Sequence, residues 1–379
     1  MSSISESLPA PRAGPESSLL GQLSGLDWAI LVSALLLAGL GIATVHSASA
    51  ELPIDYLPRQ AVWVGIGLAV MAIAFFVDYH FLVDLSLPLY LVACALLVVV
   101  DLAGAVRGGA QSWLAFGSYA FQPAELAKLA TALFLTRYLA EINRRVLSLK
   151  DIVLTGIIAA VPMGLIAIQP DFGTAAMFAP MVAGMLLVGG VRMKQWIAGV
   201  VALVVLAGAV WLFGLQPYQR ERVMTYFEPT ADPLGAGYQV RQSKIAVGSG
   251  QLTGRGYGQG TQSQLRFLPA RHTDFVFAVL AEEWGFVGVL GALGLYAVFI
   301  VNGARVAIRA RDREGILLVV GVLSFISFHV LYNTAMVVGL VPITGIPLPF
   351  LSYGGSFTLL NFAATGLILS VDVRRYVNR

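Results

Sequence analysis

The chain has 379 residues, 58% of them hydrophobic and 12% charged, with a formal charge of +3. Soluble domains carry about 25% charged residues, so a mean hydropathy of +0.79 excludes a water-soluble enzyme. The basic residues are spread over many short loops and give no nucleic-acid surface, and one cysteine, Cys94, allows neither an internal disulfide nor a cysteine-based metal site.

In chain order, residues 1–25 carry Pro9, Pro11, Pro15 and many serines, without the charged, apolar and small-residue succession of a cleaved signal. They are expected to be a disordered cytoplasmic tail before a single membrane domain, 26–379. A spanning helix needs about 20 mostly apolar residues. Ten stretches qualify: 28–45, 61–77, 87–106, 121–139, 152–168, 172–190, 195–213, 275–301, 316–338 and 355–373. The fold class predicted is therefore all-α, a polytopic membrane protein of ten transmembrane helices. The fourth span is interrupted by Glu125 and Lys128.

Orientation follows from the Lys/Arg bias of short loops. Arg144, Arg145, Lys150, Arg192, Lys194, Arg305, Arg309, Arg311, Arg313, Arg374, Arg375 and Arg379 fall on one side; short loops of the other side offer Arg59 and Arg107. Both termini are expected in the cytoplasm. Residues 215–273 then form a long extracytoplasmic loop with Arg220, Arg222, Arg241, Lys244, Arg255, Arg266 and Arg271 against Glu221, Glu228 and Asp232, a surface suited to an anionic ligand. Glycines 285, 288, 291 and 294 follow one face of the eighth span and read as close helix packing.

Ionisable groups inside spans mark functional sites by default. Glu125 and Lys128, three apart, share a helix face and can pair. That pair reads equally as an element fixing helix register or as one shaping a substrate cavity. Where the long loop enters the eighth span stand Arg271, His272, Thr273 and Asp274. Thr273 or Asp274 can cap that helix; alternatively, Asp274 is a base at the outer mouth of a membrane cavity. Glu282 and Glu283 lie roughly 12 to 13 Å further along the helix, too far for a glycoside-hydrolase pair at about 5 to 9.5 Å, and are expected to hydrogen-bond inside the protein. The glycine-rich run 248–262 lacks the Gly-Lys-Ser/Thr ending of a nucleotide loop. Plain tight turns are preferred there over a pyrophosphate cradle. Residues 342–356, with three prolines and a Gly pair, form a stiff, non-helical segment at the membrane surface.

The stretches Trp113 to Lys128, Gln169 to Thr174, Asp232 to Gly250, Gly260 to Gly288 and Pro342 to Ser356 together resemble the SEDS family of bacterial cell-wall proteins, the rod-shape branch more closely than the division branch. The resemblance implies an inverting peptidoglycan glycosyltransferase of the inner membrane, active in elongation and rod-shape maintenance. It would polymerise lipid II into nascent glycan outside the membrane beside a class B penicillin-binding protein, the transpeptidase partner. It also implies that Asp274 is essential, that Trp113, Glu125 and Lys128 are functionally sensitive, and that a divalent cation, Mg or Mn, supports activity, although no metal-ligand spacing is visible. The chain departs from the family pattern at Ser112, Ala124, Ala270 and Phe357. In the mechanism that fits, Asp274 deprotonates the acceptor hydroxyl, Lys244, Arg255 and Arg271 hold the pyrophosphate, an apolar groove takes the undecaprenyl tail, and Arg220 and Arg222 can serve membrane lipid headgroups. The rival reading is a lipid II flippase, which would place its substrate groups near the midplane; a third is a non-catalytic scaffold.

Overall fold

The computed structural model describes residues 26–50, 56–107, 110–116, 119–142, 144, 146–209, 212 and 235–377. The tail 1–25, part of the basic loop (215–234, with Arg220 and Arg222) and Arg379 lie outside the described residues.

The helices start where the sequence supplies caps. Helix α1 (Trp28–Ser49) opens on Asp27, whose side chain accepts from Ala29 N. Helix α2 (Leu57–Phe76) opens with a proline in its first turn. A short α3 (Tyr79–Asp84), capped by Asp78, leads into α4 (Ser86–Ala103). Between the third and fourth predicted spans the chain forms a three-stranded antiparallel sheet, β1 (Ala105–Arg107), β2 (Ala110–Phe116) and β3 (Tyr119–Phe121). The hydropathy reading missed it, because strands this short sit within the ordinary length of a loop.

Next come α5 (Pro123–Glu141), α6 (Leu149–Ile168) with a Ser148/Asp151 capping box, α7 (Phe172–Ala176) capped by Asp171, and α8 (Phe178–Gly189). They are followed by α9 (Met193–Ala209), α10 (Ala236–Ser249), α11 (Thr261–Gln264), α12 (Val276–Arg309), α13 (Arg313–Val337) and α14 (Gly355–Val377). The protein is a helical membrane protein. Among the described residues eight helices are long and apolar enough to cross a membrane. The other two expected spans are helical as well: α5 carries Glu125, Lys128, Arg137 and Glu141, and α9 is described over 17 residues. Within the long loop, α10 replaces what hydropathy alone leaves structureless.

Helix α12 departs most from expectation. At about 1.5 Å per residue, its 34 residues would span about 51 Å if the helix were continuous, against about 30 Å of hydrocarbon. It is broken at Gly285, with φ 64 and ψ −163, into a segment buried from Val276 to Glu283 and a lipid-facing segment beginning at Phe286, 53% exposed. The glycine-rich run fills the break. Arg255 N and Gly256 N donate to the carbonyls of Glu282 and Glu283, both at 3.0 Å, while Phe286 N and Val287 N donate to Gln251 O (2.9 Å) and Leu252 O (3.1 Å). Unsatisfied backbone groups at membrane depth cost several kcal/mol each, which makes this exchange a condition of the break.

The glycine ladder is corrected accordingly. Gly285 is the break and Gly288 makes room for the Trp284 side chain, whereas a side chain at Gly291 or Gly294 would meet nothing within 4 Å. Instead of helix packing, this face borders an apolar groove of about 810 Å³ against α1, lined among others by Leu36, Leu40, Trp284, Val287, Gly291 and Leu295, with Glu283 and Tyr257 at its polar end.

The two ends of the bundle differ in chemistry. At one end, Asp312 accepts from Tyr79 Oη (2.5 Å) and meets His80 Nε2 (3.2 Å), His80 Nδ1 meets Asp78 (2.8 Å), and Arg374 Nε lies 3.4 Å from Asp78. Arg313 donates to Ile142 O at 2.5 Å. These ties join α3, α5, α13 and α14 at the end predicted to face the cytoplasm. The opposite end carries the 338–354 loop and the entrance to α12.

Candidate functional site

Asp274 stands at that opposite end, one residue before the Phe275 N-cap of α12, which makes no side-chain cap. Neither Thr273 nor Asp274 caps the helix: Thr273 Oγ1 turns back to Ala270 O at 3.2 Å. Asp274 is half-buried. Its carboxyl pKa is raised to about 6, by loss of water first and by the negative charge of Asp171 second, with a hydrogen bond with Thr273 opposing both. Asp171, in the Gln169–Thr174 motif, accepts from Gln122 Nε2 at 3.0 Å and caps Thr174 at 3.1 Å. The like charge that tunes Asp274 therefore comes from another helix entrance.

The 342–356 segment is the wall facing Asp274. Gly345 adopts φ +69, and a Cβ there would lie 3.5 Å from Asp274 Oδ2. Ser352 Oγ donates to Thr273 O (2.6 Å) and accepts from Leu348 N (2.8 Å), and Tyr353 N donates to His272 O (2.9 Å). Asn333 Nδ2 donates to both Asp274 O (2.8 Å) and Ile346 O (2.7 Å). The loop is anchored by Phe350, a left-handed residue at φ 63 whose ring packs edge-on against Phe299 (5.6 Å) and Phe362 (5.4 Å). A left-handed non-glycine costs about 1–2 kcal/mol, and two such aromatic pairs at about 0.5–1.5 kcal/mol each are of the size needed to offset it. His272 stacks on Tyr56 at 4.6 Å. Burial, with the Arg271 charge adding to it, lowers its pKa.

The other expected site residues divide into exposed and buried. Lys244, on α10, and Arg255 are exposed; Arg255 also donates to Thr261 Oγ1 at 3.1 Å. Arg271, expected to hold pyrophosphate, is 3% exposed. Its Nε donates to Ala48 O at 2.6 Å and Nη1 to Ser263 O. It ties the loop to the end of α1 and is a buried structural cation, a correction to its expected place on the ligand surface. Trp113 lies partly exposed on β2 opposite Ala105. Glu125 and Lys128 do pair, at 3.0 Å, and are 4% and 1% exposed. Removing either partner alone would strand the other at a cost of about 3–5 kcal/mol. Glu282 accepts from Gln262 N (2.9 Å) and Ser263 N (3.2 Å), and Glu283 accepts from Ser47 Oγ. Both therefore hydrogen-bond inside the protein, and in the glycine-rich run the Gly254 and Gln259 amides close turns while those of Arg255 and Gly256 serve the α12 break.

Sequence reasoning missed Asp171, Asn333 and His329. A polar residue in an apolar span was the available signal for the last two. Among the described residues no group of three or more His, Cys, Asp or Glu side chains could hold a metal ion.

A family model described as Cell cycle protein, covering FtsW, RodA and SpoVE, matches residues 27–377. The chain belongs to this SEDS family. Among its relatives, the peptidoglycan glycosyltransferase MrdB of Escherichia coli (strain K12) is 39% identical over 352 residues, 92% of this chain and 94% of that protein. Stage V sporulation protein E of Bacillus subtilis (strain 168) is 37% identical over 91% of this chain and 96% of its own length. Among solved structures, a chain from a peptidoglycan synthase complex that coordinates polymerization and crosslinking is 34% identical with a TM-score of 0.80, covering 93% of this chain and 98% of that one. The rod shape determining protein RodA of Thermus thermophilus is 30% identical with a TM-score of 0.69 over the same shares. The SEDS assignment rests on nearly the whole chain, including each stretch that carried the resemblance.

Proposed function

We infer that this chain is a peptidoglycan glycosyltransferase that joins lipid II units into glycan strands on the outer face of the cytoplasmic membrane during elongation, with Asp274 as its general base. The observation that carries the role of Asp274 is its setting: a half-buried carboxylate at the end of a membrane bundle, walled by a rigid loop, with a pKa raised to about 6 by desolvation and by Asp171. Such a group is mostly ionised at neutral pH yet close enough to it to accept a proton efficiently.

In the reaction, the 4-hydroxyl oxygen of the acceptor sugar attacks the anomeric carbon of the donor. The bond to the undecaprenyl pyrophosphate oxygen breaks with inversion, the new C1–O4 bond forms, and the hydroxyl proton passes to Asp274. Pyrophosphate leaves as an anion and needs positive charge more than a proton. Exposed Lys244 and Arg255 supply that charge, while buried Arg271 holds the loop that carries Asp274. Trp113 offers a partly exposed ring to sugar. Glu125 and Lys128 shape the cavity from behind, and the 810 Å³ groove accepts the prenyl tail. A class B penicillin-binding protein is the proposed partner, supported by likeness to a chain of a complex that couples polymerization to crosslinking. Cytoplasmic termini follow from the basic end described above.

Purified Asp274→Asn protein with labelled lipid II tests the reading. Loss of about 100-fold or more in polymerisation is expected. Activity near wild type overturns the base assignment, and lipid II translocation without glycan product favours the flippase.

A further inference from the structure

Two buried polar side chains of α13 join a buried cation to the wall of the Asp274 site. Lys128 Nζ lies 3.0 Å from Glu125 Oε2 and 3.3 Å from His329 Nε2, and 5.5 Å from the ring centre of Phe357. On its other edge, His329 Nδ1 lies 3.1 Å from Pro347 O. An ammonium can only donate and a carbonyl can only accept. His329 therefore accepts through Nε2 and donates through Nδ1, a neutral ring in one tautomer with protein on both edges. Asn333 follows four residues later on the same face. It is fully buried and divides its amide between Asp274 O and Ile346 O, at 2.8 and 2.7 Å. Ile346 and Pro347 adjoin Gly345, the residue facing Asp274 Oδ2. The two α13 side chains thus grip the same loop at consecutive carbonyls, and Asn333 grips the Asp274 backbone too.

We propose that His329 and Asn333 are positioning residues for Asp274: His329 fixes the 345–347 wall through the tautomer that Lys128 imposes, and Asn333 locks that wall to the Asp274 backbone. The inference rests on the reading of Asp274 as the base. Proton transfer requires the carboxylate within hydrogen-bond reach of the acceptor hydroxyl, and a displacement of about 1 Å can cost about 100-fold in rate. Neither side chain is assigned a contact with substrate, so their loss should reach turnover and leave substrate affinity largely untouched.

The test is lipid II polymerisation by the full-length protein, with rates per folded molecule for His329→Leu, His329→Gln, Asn333→Ala and Asp274→Asn. Gln presents a carbonyl oxygen to Lys128 and an N–H to Pro347 O, so His329→Gln should stay within about 3-fold of wild type, whereas His329→Leu and Asn333→Ala should lose about 10- to 100-fold in kcat with KM changed less than about 3-fold. Should His329→Leu, which strands the Lys128 ammonium, fail to accumulate folded, Asn333→Ala carries the same test because it strands no charge. The inference is overturned if kcat per folded molecule is unchanged in Asn333→Ala, if the loss lies in KM alone, or if His329→Gln is no better than His329→Leu. An active Asp274→Asn overturns the underlying base reading instead; an inactive one beside wild-type kcat in the α13 variants overturns this inference alone.

Discussion

Asp274 has its character from groups the chain brings to it from far away. Burial and Asp171 push its pKa to about 6, and both act against the ionised form. The rate of polymerisation should therefore rise with pH through an acid limb near 6, and Asp171→Asn, by removing the like charge, should move that limb to lower pH. A limb that does not move in the pH–rate profile would remove Asp171 from the site. Stability runs the other way. A carboxyl whose folded pKa lies above its unfolded value of 3.8 favours folding fully below about 4, and that contribution is lost as pH rises through about 6. Asp274→Asn should therefore be more heat-stable than wild type above pH 6, by up to about 3 kcal/mol, with the gap closing below pH 4.

The decisive element is the broken α12. A side chain at Gly285 would collide with Gly254 N and Leu252 O, and the position also demands a left-handed backbone. Gly285→Ala should cost at least about 2 kcal/mol and lower the melting temperature, whereas Gly291→Ala, which points into open groove, should leave it within error. Equal effects of the two would refute the account of the break. The pattern of glycines every third residue was plain in the sequence. Whether each one faced a neighbouring helix, a loop or an empty groove was not, because identical residues at helical spacing look alike until the loop 250–256 is docked. The same holds for Arg271, which its sequence neighbours place on a basic surface and its carbonyl partners place inside.

Across the whole molecule, the Asp274 loops collect at one end and the Arg-rich loops, tied through Asp312, His80, Asp78 and Arg374, at the other. In a Cys94→Ala background, Tyr257→Cys should react with an impermeant maleimide added outside intact cells, and Arg311→Cys only after permeabilisation. The reverse pattern would invert the topology and remove the site from the side where lipid-linked sugars are polymerised.

By itself the sequence determined the helical membrane class, most span positions, the pairing of Glu125 with Lys128 and the family. Those follow from local hydropathy, from three-residue spacing and from motifs that lie within single stretches. Only the tertiary structure decided the β1–β3 sheet, the split of α12, the burial of Arg271 and the gathering of Asp171, Gly345, His329 and Asn333 around Asp274 and the loop that walls it. These last four come from three separate chain segments, the α7 entrance, α13 and the 342–356 loop, and a carboxylate's reactivity depends on which charges and amides surround it in space, a relation that linear order does not carry.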